Sequence, residues 1–417
     1  MSSLQPRRAL VLSHFNIGIN RVFEDYCRGI RANVDDYHYI DYIDAYLAKG
    51  KRWFERDIEQ LVVERRITHV FFIWWSCDLT FDVSFLARLS QKARLVMNFF
   101  DTEYFFEDVD RYYAQVADIV MLPDELSRYR YDHLGIPCHT SFALFDSAAY
   151  RCHAGGPFEI DVSFVGNLKQ SDRSEYIRYL KDHGIRVECF GIASDHGFVS
   201  FDDMVRIFNR SRIVLNFTGV SSFDNYAIAL PRINQRIKQS KGRPIEIALC
   251  GGFILSQYAP GIEKMFMPGE EFDYFRTKEE MLEKVKYYLD NDAQRAEMAN
   301  RAHQRALASY DTVVGFRNLL ERLDDTTHPQ PETLYLDPAF RGNYAAFRFF
   351  YIVLFLLRGN FPQSISELIS VIRARRINIL AAYHFSTRGF LHFLREHPEL
   401  EHFFKKVRRW LPMKLKY

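Results

Sequence analysis

The sequence predicts an α/β protein built from two parallel-sheet units and a helical extension, and three observations predict it. Residues 9–145 alternate short apolar runs with amphipathic segments, the pattern of a parallel sheet flanked by helices. That periodicity lapses in DSAAYRCHAGGPFE, from Asp146 to Glu159, where Gly155, Gly156 and Pro157 cluster, and a second alternation opens at IDVSFVGN. At 417 residues the chain is long enough for two such domains and an appendage. The expected division is 1–150, 158–325 and 330–417.

In the first unit, strands are expected at ALVLS, YHYIDYI, THVFFIWW, ARLVMNFF, DIVMLP and CHTSFAL, with helices near 20–31, 52–66, 82–91, 106–117 and 124–134. Ligands of such sheets collect at the carboxyl ends of the strands, so polar residues there carry the interest. The first strand runs into His14-Phe15-Asn16-Ile17-Gly18-Ile19-Asn20, a loop that Gly18 would let approach a sugar closely. Ser76-Cys77-Asp78 follows the third strand and Asp101-Thr102-Glu103 the fourth. A carboxylate just past a buried strand is partly desolvated, which raises its pKa toward that of a general base. Asp101 is the first candidate for that role, with helix capping as the alternative. His14 is the second, as a base or an acceptor ligand, against a histidine that is merely hydrogen-bonded.

The second unit opens with the strand IDVSFVGN, which Gly166 ends where a backbone must pass near a ligand. Ser171 can cap the helix SDRSEYIRYLKDHG and Gly184 can close it. RVECF is a strand, Ser200 with Asp203 caps the next helix, and RIVLNF leads to Asn216. Thr218 to Gln239 is irregular. Then comes SKGRPIEIALCGGFILS, in the order basic loop, short helix, double glycine (Gly251, Gly252) and strand. Lys241, Arg243 and the helix start beginning at Pro244 offer cations and free N–H groups to one point, which suits a diphosphate. Glu246, one turn in, suits a ribose diol; a plain helix start with a solvated basic loop is the alternative. Thr277 and Glu280 form a capping box, and DAQRAEMANRAHQRALASY supplies a further helix.

From KGR through E, CGGF and PGEE to a closing helix pair, roughly Leu215 to Tyr310, the chain resembles the CgeB-like glycosyltransferases of the wider family 1 and 4 group. The resemblance implies a GT-B fold, with two Rossmann-like domains facing across a cleft, and a nucleotide diphosphate-sugar donor as co-substrate. It makes Glu246 the ribose ligand and Lys241 and Arg243 the basic residues near the diphosphate, with Gly166, Asn216, Gly251 and Gly252 lining the donor. The first domain would then receive the acceptor at Asn16, Gly18, Asp78 and Glu103. It also implies that the chain returns to the first domain near 311–323. Many retaining relatives carry a glutamate where this chain has Lys238, so a retaining outcome is not implied. A nucleotide-sugar epimerase on the same fold and a non-catalytic binding module are the other readings.

Several signals bound these expectations. A net charge of +2 gives no bulk attraction to nucleic acid. Cys27, Cys77, Cys138, Cys152, Cys189 and Cys250 lack metal spacing and read as free thiols of a reducing compartment. MSSLQPRRAL enters a strand without a long apolar region, so no secretory leader is expected and the location reads as cytoplasmic. Asp108-Val109-Asp110 and Asp101-Thr102-Glu103 match a metal-binding triplet, but the basic loop already supplies positive charge, and no metal or other cofactor is expected.

His328 to Pro338 marks a boundary. In the extension, FRFFYIVLFLL is about eleven residues and reads as a buried helix rather than a span. EHFFKKVRRWLPMKLKY interleaves aromatic and basic residues like a helix in an anionic membrane interface, which would hold the protein on the inner face of the cytoplasmic membrane beside a lipid-linked glycan. A helix packed on the core with a solvated basic face is the alternative.

Overall fold

The computed structural model describes residues 6–14, 21–73, 78–152, 156–219, 238–326, 333–400 and 402. Its first sheet is parallel throughout: β1 (Arg8–Ser13), β2 (Asp36–Asp41), β3 (His69–Ile73), β4 (Arg94–Asn98), β5 (Ile119–Leu122) and β6 (Cys138–Thr140), ordered β2-β1-β3-β4-β5-β6. Each strand falls on one of the apolar runs. The helices around it are α1 (Arg21–Arg31), α2 (Tyr42–Lys49), α3 (Lys51–Glu64), α4 (Val83–Ser90), α5 (Thr102–Phe105), a π-helical turn (Phe106–Asp110), α6 (Arg111–Ala114) and α7 (Glu125–His133).

YHYIDYI is not strand throughout. It stops at Asp41, whose carboxylate accepts from the Asp44 N–H at 3.2 Å and so starts α2. Tyr42, Ile43, Tyr46 and Leu47 then reach the core at helical rather than alternating spacing.

The second sheet is also parallel: β7 (Ile160–Val165), β8 (Val187–Phe190), β9 (Ser211–Asn216), β10 (Ile254–Gln257) and β11 (Asp273–Phe275), ordered β11-β10-β9-β7-β8. Its helices are α8 (Arg173–Asp182), α9 (Phe201–Arg210), α10 (Arg243–Leu249), α11 (Ile262–Met265), α12 (Lys278–Asp290) and α13 (Asp292–Ser309). Ser200 caps α9 and Thr277 caps α12, accepting from the Asp203 and Glu280 N–H groups at 3.1 and 3.2 Å. Ser171 does not cap α8; its backbone is left-handed (φ 54°) and its hydroxyl donates to Asp172 at 3.0 Å.

In each sheet the strand order reverses once, between β1 and β3 and between β7 and β9, which puts a crevice at those carboxyl ends. The chain passes between the sheets twice, and the two passages pair: Phe145 N–H donates to Tyr310 and Thr312 N–H to Phe145, at 3.1 and 2.9 Å. Helix α14 (Thr312–Asp324) follows, and Phe316, Leu319, Leu320 and Leu323 bury against Ala9, Val11 and Phe23 of the first sheet's layer.

The extension is a helical hairpin stack, α15 (Pro338–Leu357), α16 (Phe361–Ala374) and α17 (Ile379–Glu396). Phe347, Tyr351, Phe355 and Phe385 share one core with Tyr42, Tyr46 and Phe81. FRFFYIVLFLL belongs to a 20-residue helix, longer than its apolar run; α15 is long and apolar enough to cross a membrane by length and composition, yet 61% of its most apolar stretch is buried in the protein. Fully buried Arg348 explains part of that packing: it lies 3.0 Å from the Tyr46 hydroxyl and 3.6 Å from Glu367. The basic tail, residues 403–417, lies outside the described residues.

Candidate active site

At the carboxyl end of the second sheet, three strand ends are tied together. Asn216 ends β9 and donates to Ser256 Oγ at 2.8 Å. Gln257 ends β10, accepts from the Thr218 and Gly219 N–H groups at 3.3 Å each, and donates to Asp172 at 3.2 Å. Gly166 follows β7 directly and is pressed by Gly191, whose φ is 110°; a Cβ there would sit 2.3 Å from the Gly166 carbonyl oxygen.

Onto this platform the first turn of α8 brings Arg173. Its guanidinium donates to the Asn167 and Gly219 carbonyls at 3.1 and 3.0 Å, clasping the loops after β7 and β9. Its Nε is buried and has no hydrogen-bond partner among the described residues. Burial, helped by the charge of Arg243, pulls its pKa down to about 10. Two guanidiniums from separate helices thus stand within reach of each other's field, an arrangement that an anion between them would relieve.

The turn before α10 faces the cleft. Gly242 rests on the passage between the sheets so tightly that a Cβ would lie 2.6 Å from the Phe145 ring and 2.9 Å from the Ala143 methyl. Lys241 reaches across to Asp101 of the first domain, 2.9 Å away. Arg243 is 2.9 Å from Glu246, whose other oxygen accepts from the Tyr150 hydroxyl at 3.0 Å. A carboxylate has about four lone-pair sites, so Glu246 keeps acceptor capacity beyond these two contacts.

Gly251 and Gly252 lie elsewhere. They follow the C-terminal end of α10, away from the crevice, because a helix-to-strand turn in a parallel sheet sits at the strands' amino ends. Gly251 has φ 73°, with Cys152 Sγ 2.5 Å from where its Cβ would be, and Gly252 packs on Ile247. Their role is a close-packed turn, not a donor contact.

Across the cleft, His14 follows β1 and is nearly buried. Its Nδ1 is 2.9 Å from Asp41, which ends the neighbouring strand β2 in register with Ser13. With Nδ1 so engaged, Nε2 is the atom able to exchange a proton. Tyr42 lies beside His14 and donates to Asp78 at 2.5 Å, so Asp78 is anchored at the same edge. Asn16 and Gly18 lie outside the described residues. Asp101 begins α5 without a side-chain cap bond and meets Lys241 instead.

Glu103 does not face an acceptor. Its carboxyl is engaged by Ser127 and by the Gln239 amide, the latter at 2.5 Å, and burial together with Asp124 raises its pKa well above the usual range. It serves as an internal tie between α5, α7 and the segment leading into the Lys241 turn.

Among the described residues, His14, Asp41 and Asp44 place ligand atoms within 4.8 Å of one another, a grouping the sequence spacing had concealed. Asp110 of the D-x-D triplet is buried, and that burial pushes its carboxyl up to about 7.

Arg173, Asp41 and Tyr150 were not singled out in the sequence. Arg173 sits seven residues past Gly166 at the start of α8, beyond a loop whose length hides its direction. Asp41 had a legible signal, an acid at the end of a strand followed three residues later by Asp44, but the run YHYIDYI masked it.

Residues 170–321 match the family model described as glycosyl transferase-like. No curated protein matches the chain in sequence. Among solved structures the chain is similar to Anabaena HepE in complex with UDP, at 12% identity and TM-score 0.53, covering 76% of this chain and 100% of that one. It is also similar to a glycosyltransferase from Rickettsia africae, at 8% and 0.53 over 77% and 99% of the two chains. Sucrose-phosphate synthase from Thermosynechococcus elongatus gives 8% and 0.51 over 76% and 100%. At such identities the likeness is one of fold. The segment matched by the glycosyl transferase-like model lies on the second of two facing Rossmann-like domains, and the chain accordingly has the GT-B fold.

Proposed function

We propose that this protein transfers a sugar from a nucleotide diphosphate-sugar to an acceptor hydroxyl, within the CgeB-like branch, on a surface polysaccharide or lipid-linked glycan. The observation that carries the reading is Arg173, which clasps the loops after β7 and β9 with a buried, unpartnered Nε and lies within the field of Arg243, together with the Lys241 turn that precedes α10. These cations would hold the diphosphate and neutralise the charge that grows on it as the bond to the anomeric carbon breaks. Glu246, oriented by Tyr150 and Arg243, would take the ribose hydroxyls. The UDP bound by HepE makes UDP the first nucleotide to try.

On the acceptor side, His14 would take the hydroxyl proton on Nε2 while Asp41 stabilises the resulting imidazolium, and the acceptor oxygen would attack the anomeric carbon from the face opposite the diphosphate. Asp101 has a different part in this scheme, holding Lys241 until a donor arrives. Asp78 would position the acceptor. In this scheme the donor half needs no metal, because three cationic side chains would serve the diphosphate.

A thermal-shift series with UDP, UDP-glucose and the other nucleoside diphosphates tests the donor. A ligand at a hundred times its dissociation constant adds about 2.7 kcal/mol of stability, and Glu246→Ala is expected to lose most of that response. Donor turnover measured with and without acceptor tests the transfer; consumption of donor that no acceptor accelerates would overturn it.

A further inference from the structure

Helix α16 is amphipathic the wrong way round for a soluble surface. Phe361, Ile365, Ile369 and Ile372, spaced along one stripe, are 60%, 57%, 42% and 68% exposed. The same helix buries Ser364 and Glu367. Glu367 is turned inward by Arg348 and Tyr46, so the helix spends its one acid on the core and leaves the isoleucines outside. Ile379 and Leu380, opening α17, extend the patch at 78% and 69% exposure. Contiguous apolar surface of this kind marks a contact with an apolar partner.

The charge beside the patch says which partner. Arg373, Arg375 and Arg376 end α16 and lead into α17, all exposed and none in an ion pair among the described residues. From 361 to 395 the only acidic residue is the buried Glu367. Arg373 also borders a cavity of about 330 Å³ shared with Lys51, Asp82, Arg341 and Ser370. Lys51 is neutralised there by Asp82, whereas Arg341 and Arg373 line the same cavity with no ion pair among the described residues.

We infer that α16 and the first turn of α17 dock on an anionic phospholipid bilayer. The Phe361, Ile365, Ile369 and Ile372 stripe enters the acyl boundary, the three arginines meet lipid phosphates, and the cavity beside Arg373 accepts a headgroup. Arg358, which caps α15 just before α16, and His392 and Glu396 at the end of α17 lie within electrostatic reach of Asp44 and His14. The surface is distinct from the basic tail and stands independently of the proposed transfer reaction.

Co-sedimentation of the full-length chain with phosphatidylglycerol-containing vesicles, and with phosphatidylcholine vesicles alone, tests this. The wild type is expected to prefer the anionic vesicles by roughly tenfold or more. Ile365→Glu with Ile372→Glu, and Arg373→Glu with Arg375→Glu and Arg376→Glu, are each expected to lose at least about tenfold of that binding. A chain ending at residue 402 is expected to retain salt-sensitive binding that the double isoleucine change removes. Unchanged melting temperatures show that the variants fold. Wild-type binding by both variants overturns the inference, as does complete loss on removing the tail alone. A solution dimer broken by the isoleucine changes, with no vesicle binding, overturns it in favour of a second copy of the chain. Because the readout needs no nucleotide, failure of the transfer reading leaves it intact.

Discussion

Lys241 of the second domain holds Asp101 of the first at 2.9 Å, and it is the same lysine that the proposed donor diphosphate would need. Lys241 is about half exposed, so the pair contributes no more than about 1 kcal/mol. Asp101→Asn should accordingly tighten UDP binding by up to about fivefold, while Lys241→Ala should weaken it. Isothermal titration calorimetry of both variants checks this, and weaker binding by Asp101→Asn would show that the aspartate helps to hold the donor.

Removing Arg173 separates a ligand role from a structural one. Its charge is opposed by Arg243 in the free protein, so Arg173→Met is expected to change the unliganded melting temperature little. Inorganic diphosphate and UDP should both lose affinity, by about 10- to 150-fold for one charge-assisted contact. A large loss of stability with unaltered diphosphate affinity would make Arg173 a clasp for the two loops and nothing more.

For the acceptor half, His14→Gln is expected to lower kcat by about 10² to 10⁴ with UDP affinity unchanged. Asp41→Asn should lower it less, because the imidazole remains but loses the carboxylate that orients it. Steady-state kinetics across pH, paired with UDP titration, distinguish this from a loss of fold.

Asp25 supplies a pH signature of stability. It is buried next to Arg21, and burial pushes its carboxyl up to about 7. The folded protein thus binds more protons than the unfolded chain between the ordinary carboxylate range and about 7, and stability falls as pH rises through that window. The slope from this group is at most about 1.4 kcal/mol per pH unit and levels off above the folded pKa. Urea unfolding from about pH 5 to about pH 8 should show the decline, and Asp25→Asn should flatten it; Glu55, raised by burial in the same direction, accounts for part of what remains.

The strands and the helix following KGR were legible because each depends on neighbours in sequence: apolar runs between turn residues, and Pro244 at the start of α10. The same local logic misplaced Gly251 and Gly252, since proximity to Glu246 along the chain says nothing about which end of a helix meets the crevice. Asp41 was hidden because a strand and a helix can both be written with Tyr and Ile, and only the cap at Asp44 decides where one stops.

By itself the sequence determined the α/β class, the cationic turn with its glutamate one helical turn on, and the histidine past the first strand, because period, turn chemistry and short-range spacing are properties of contiguous residues. The tertiary structure alone decided that Arg173 comes within the field of Arg243, that Asp41 holds His14, that Asp101 pairs with Lys241 and that Glu103 turns inward. Each of these joins groups on different strands, helices or domains, whose distance is set by how the sheets order their strands and close on one another.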